Sequence, residues 1–134
     1  MRPAIPLLTA ALTLPLPALA ADWRLELLET GQREYYCTGT IRLTNKGDAA
    51  LTELSGFFLI EIDGEQVGRS KGNWFLNLAP GASAEAVFET PNAPCAEADR
   101  WTFVVGACRL DAGFEDKAAC AARIDTVAPL ATED

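Results

Sequence analysis

Polar and apolar residues alternate from Glu34 to Thr44 and again from about Thr52 to Ile62, with an Asn45-Lys46-Gly47-Asp48 turn between the two runs. In the first run Tyr35, Cys37, Gly39, Ile41 and Leu43 share one face, and Tyr36, Thr38, Thr40, Arg42 and Thr44 share the other. In the second, Leu54, Gly56, Phe58, Ile60 and Ile62 form the inner set. A period of two belongs to a strand with one buried face. Asp63-Gly64 closes the second run with a hairpin signal, because that dipeptide accepts positive φ at little cost.

The same punctuation continues along the chain. Trp23 to Glu29 alternates as a first strand, with Gly31-Gln32-Arg33 as its turn. Glu65 to Ser70 is a short return strand and Asn73 to Leu78 the next. Ala79-Pro80-Gly81 is a turn with proline and glycine in the favoured order. Ala84 to Thr90 follows, with Phe88 inward, and Pro91 to Asp99 is a loop. Arg100 to Leu110 places Trp101, Phe103, Val105 and Ala107 on one face; Lys117 to Val127 is a last strand or a short helix. Seven or eight short strands joined by turns predict an all-β chain, an immunoglobulin-like antiparallel β-sandwich.

Gly39-Thr-Ile-Arg-Leu-Thr-Asn45-Lys-Gly-Asp48, Ile62-Asp63-Gly64, Val67-Gly68 and Leu78-Ala-Pro-Gly81 follow one another in an order that resembles bacterial FxLYD-type and related immunoglobulin-like domains of exported proteins. The likeness covers about half of the chain beyond its N-terminal segment, at the level of turn chemistry. It implies an adhesive or scaffolding module without a catalytic site.

Met1-Arg2, the apolar stretch Ala4 to Leu16 and the small residues Ala18-Leu19-Ala20 form the three-part pattern of a secretory signal. The apolar stretch is too short for a membrane span and is broken by prolines. The expected organisation is a signal over residues 1–21, a sandwich over 22–128 and a frayed tail over 129–134, in a periplasmic or secreted protein with no membrane insertion of the mature chain. The formal net charge of −8 becomes −9 once Arg2 leaves with the signal. Such a balance argues against nucleic acid or anionic lipid as a partner, since both need basic surface.

Four cysteines in an exported chain predict two disulfides. Strand order favours Cys37–Cys95 and Cys108–Cys120. Cys37 opens a strand at the end where the loop carrying Cys95 lies, while Cys108 and Cys120 sit equally far from Phe114, the centre of an expected hairpin. The chain has no histidine, which removes the usual general base and metal ligand. Asp111, Glu115 and Asp116 gather oxygen ligands in one connection but match no calcium-loop spacing, and turn chemistry accounts for Asp63 and Glu65. No enzyme, cofactor or metal is expected.

Phe57, Leu59, Phe75, Val87 and Val104 alternate with the inner set and should point outward, where a purely structural sandwich would place polar residues. They define a possible partner surface. Two functions follow as expectations. One is a non-enzymatic interaction or scaffolding module that binds another envelope protein. The other is an acidic inhibitor of a basic secreted hydrolase such as lysozyme: Tyr36-Cys37-Thr38-Gly39 is similar to the start of small C-type lysozyme inhibitors, and Gly68-Arg-Ser-Lys-Gly72 is the nearest stretch to their inhibitory loop.

Overall fold

The computed structural model describes residues 21–133 and, of those before them, Pro3, Ala4 and Pro6; the rest of the expected signal segment, including Ala20 at its cleavage site, lies outside the described residues. The alternating runs become the two central strands, β2 (Tyr36–Asn45) and β3 (Leu51–Ile62), one in each of two sheets. In the first sheet β2 lies between β1 (Trp23–Arg33) and β6 (Ser83–Pro91), antiparallel to both. In the second, β3 lies between β7 (Arg100–Leu110) on one side and β4 (Glu65–Arg69) followed by β5 (Asn73–Leu78) on the other. Among the described residues the chain is all-β in two sheets, with one short α-helix, α1 (Lys117–Ala122), and a single 3-10 turn at Cys95–Glu97.

The core fills from the inner faces. The Phe58 ring meets Phe88 edge-on at 4.8 Å and lies 5.1 Å from Phe103 and 5.9 Å from Trp101, the offset and T-shaped geometries that aromatic quadrupoles favour. Gly39 makes room for this cluster: a Cβ there would come within 2.7 Å of the Trp101 ring. The β3–β4 hairpin turns on Asp63 and Gly64, both at positive φ as a two-residue type I′ loop requires.

Several boundaries depart from the sequence expectations. The first turn falls at Glu34-Tyr35 and not at Gly31 to Arg33, because β1 extends to Arg33, which pairs with Tyr36. Tyr35 is therefore exposed at the tip and not on the inner face. An irregularity in β7 beside Ser55/Gly56 shifts the phase, so that Ala107 pairs with Ser55 on the outer side and Cys108 turns inward. The last expected element is two: α1, capped by the Asp116 carboxylate accepting from Ala119 N–H at 3.1 Å, and β9 (Ile124–Thr126). Leu130 to Thr132 of the expected frayed tail form a strand, β10, which pairs with β7 and buries Leu130. Among the described residues ten strands replace the expected seven or eight, since β8 (Gly113–Phe114), β9 and β10 are each only two or three residues long.

Both edges of the sandwich are closed by chain that touches both sheets. On one side Ser70 is buried, its N–H donating to Phe58 O while its Oγ accepts from Phe58 N–H, both at 2.8 Å. The next residue donates across to the first sheet, Lys71 N–H to Glu89 O at 2.8 Å, and Asn73 Nδ2 reaches Val87 O at 2.8 Å. On the other side β9 runs parallel to β1 and β10 parallel to β7, joined through a cis Ala128–Pro129 bond. Cys37 is bonded to Cys95 and Cys108 to Cys120, the expected pairs. Cys120 meets Cys108 from α1, however, and not from a facing strand. Two disulfides mark a chain that folds in an oxidising, extracytoplasmic environment.

Candidate interaction surface

Of the five residues expected on a partner surface, the fold brings three together. Phe57 and Leu59 lie half-buried on the outer face of β3, and Val104 stands opposite Phe57 on β7. Val87 is 49% exposed but belongs to β6, in the first sheet. Phe75 is a core residue, 3% exposed, with its ring 6.3 Å from Phe88, and it leaves the surface altogether. The cause is local: Asn77 adopts φ 51°, which breaks the alternation of β5 and lets Phe75 and Leu78 both turn inward.

That inversion puts Trp74 and Leu76 outside, 57% and 48% exposed. Cross-strand register then sets them in rows on the outer face of the second sheet. One row reads Phe114 on β8, Arg109 on β7, Glu53 on β3 and Leu76 on β5. The next reads Ala107, Ser55 and Trp74, and a third pairs Val104 with Phe57. Phe114 is 73% exposed. Sequence alternation alone missed Trp74, Leu76 and Phe114, since the signal that exposes the first two is an asparagine at positive φ.

Arginines frame the apolar residues. The Arg69 guanidinium lies 3.9 Å from the Phe57 ring centroid and that of Arg109 5.8 Å from Phe114. Arg100 Nε sits 3.5 Å from Glu61 Oε2 at the far end of the face. Among the described residues Glu53, Arg69 and Arg109 have no ion-pair partner.

The acidic connection has structural duties. Asp116 caps α1, and Glu115 Oε1 lies 3.6 Å from Arg123 Nη1. Among the described residues no three acidic or cysteine side chains are grouped to hold a metal ion. Gly68 to Gly72 does not project as a loop, because Ser70 and Lys71 are tied to β3 and β6. No helix among the described residues is long and apolar enough to cross a membrane. No family model, curated protein or solved structure matches the chain.

Proposed function

We propose that this protein is an exported, non-catalytic interaction module, periplasmic or secreted, that presents the outer face of its second sheet to a protein partner in the cell envelope. The observation that carries this reading is that Trp74, Leu76 and Phe114 are exposed on the same sheet face as half-buried Phe57, Leu59 and Val104. Aromatic and arginine side chains together are the usual anchors of protein interfaces, and large apolar side chains gathered on one exposed face mark an interaction site. The strand order β1-β2-β6 against β3-β7 supports an immunoglobulin-like architecture, corresponding to A-B-E against C-F. The final strands differ from that pattern in running parallel to their neighbours.

The test is capture of partners from the native compartment with the exported protein and with Trp74→Ser/Leu76→Ser. The variant should keep its melting temperature and lose capture. Equal capture by both proteins would remove this face from the function.

A further inference from the structure

We infer that the partner of this face is a second copy of the same chain, docked outer sheet to outer sheet about a two-fold axis that runs along the strands between β3 and β7. The inference rests on the reading of the face as a recognition surface and names what covers it.

Register carries the argument. An in-plane two-fold axis midway between β3 and β7 lays each β3 residue over the β7 residue opposite it, and each β5 residue over β8. In the row Phe114–Arg109–Glu53–Leu76 this sets Glu53 of one copy against Arg109 of the other, and Leu76 against Phe114. The same operation sets Phe57 against Val104 and Glu61 against Arg100. In both charged pairs the acid lies on β3 and the base on β7, so one axis satisfies the two together, while Arg69 on β4 stands outside them over the Phe57 ring. Such isologous contacts are the commonest way in which soluble chains associate.

Of the two charged pairs, Glu61 and Arg100 already meet within the chain, whereas the Glu53 and Arg109 charges are available. Glu53 and Arg109 are neighbours in register, yet Arg109 lies over the Phe114 ring and the two form no ion pair within the chain. Stacking on the ring also holds the guanidinium in place, which lowers the ordering cost of a new contact. The six strands of the sheet hold 39 residues between them, which at about 3.3 by 4.8 Å each give a footprint of roughly 600 Å². That approaches one partner's share of a standard interface, about 800 Å². The net charge of −8 opposes association at long range. Physiological salt screens it beyond about 8 Å, so the contacts on the face decide the outcome.

Two measurements test this. In cells exporting Leu76→p-benzoylphenylalanine, irradiation should give a product of twice the protein's mass that contains only this chain. Cross-linking to a different protein alone would overturn the second copy and leave the recognition face standing; no cross-link would overturn both. In sedimentation equilibrium the purified exported protein should be dimeric. Glu53→Arg and Arg109→Glu should each weaken the dimer by about tenfold or more, because each then faces a like charge. The double variant, with the pair reversed, should recover most of the affinity. A wild-type protein that stays monomeric at high micromolar concentration, or a double variant no better than the singles, overturns the proposal. Melting measured on dilute, monomeric protein should be the same for wild type and all three variants, which shows that the readout is association and not unfolding.

Discussion

Asp22 and Arg123, 101 residues apart in the chain, meet at 2.6 Å between Oδ2 and Nε, and the same guanidinium lies 4.6 Å from the Trp23 ring centroid. Trp23 N–H also donates to Arg123 O at 3.1 Å, so the start of the domain is tied to its end by backbone and side chain together. An exposed ion pair contributes about 0.2–1 kcal/mol, and a cation over an indole about 0.5–1 more. Arg123→Ala should therefore cost about 1–2 kcal/mol and Asp22→Ala about 0.5. Urea unfolding of the two variants measures this, and equal costs would show that the stacking on Trp23 contributes nothing.

Adjacent residues on β5 should behave oppositely. Phe75→Ala removes a ring from the core and is expected to cost about 3–5 kcal/mol. Trp74→Ser, one residue earlier and on the outer face, should cost under about 1 kcal/mol, the worth of a cross-strand pair. Thermal denaturation of both separates the faces. A large loss for Trp74→Ser would place that ring in the core.

The two disulfides should differ in worth. Cys37–Cys95 closes a loop of 58 residues and Cys108–Cys120 one of 12. On the chain-entropy model the first contributes about 4 kcal/mol and the second about 3. Replacing each pair by alanines and measuring stability in denaturant should reproduce that order, and non-reducing peptide mapping should return these two pairs. A Cys37–Cys108 peptide would refute both the pairing and the strand positions behind it.

Thr90 is fully buried on β6, opposite Cys37, and its Oγ1 has no hydrogen-bond partner among the described residues. An unsatisfied buried hydroxyl carries a desolvation cost of about 1–3 kcal/mol. Thr90→Val keeps the branched shape and removes that group, so it should raise stability by about 1 kcal/mol. A fall in melting temperature would reveal a partner for the hydroxyl.

Much of the sandwich was legible in the sequence because it rests on local rules. Alternation located β2, β3 and β7, and Asp63-Gly64 and Pro80-Gly81 supplied the turns that follow β3 and β5. What escaped was decided by contacts distant in sequence or by backbone that carries no glycine. Glu34 turns the β1–β2 hairpin at φ 52°, a conformation its residue type does not announce. Leu130 to Thr132 is a strand only because β7 offers it an edge. The candidate surface was half legible. Phe57, Leu59 and Val104 followed from phase, whereas Asn77 reversed the phase of β5, exchanging Phe75 for Trp74 and Leu76. Asn45 shows how far one side chain can reach unseen. Its Nδ2 donates to Ala49 O at 2.9 Å and Leu78 O at 3.0 Å, joining two turns that the sequence presents as separate.

The parallel pairing of β1 with β9 imposes an order in time. Trp23 precedes its partner Ile124 by about a hundred residues, and contacts of such separation form late and slow folding. Until β9 arrives, β1 lacks one of its two neighbours, and the edge that buries Trp23 stays open. A nascent chain built this way completes its first sheet only when almost its last strand has been released. A product truncated before Ile124 should be cleaved by protease more readily than the full chain, because the edge beside Trp23 stays open.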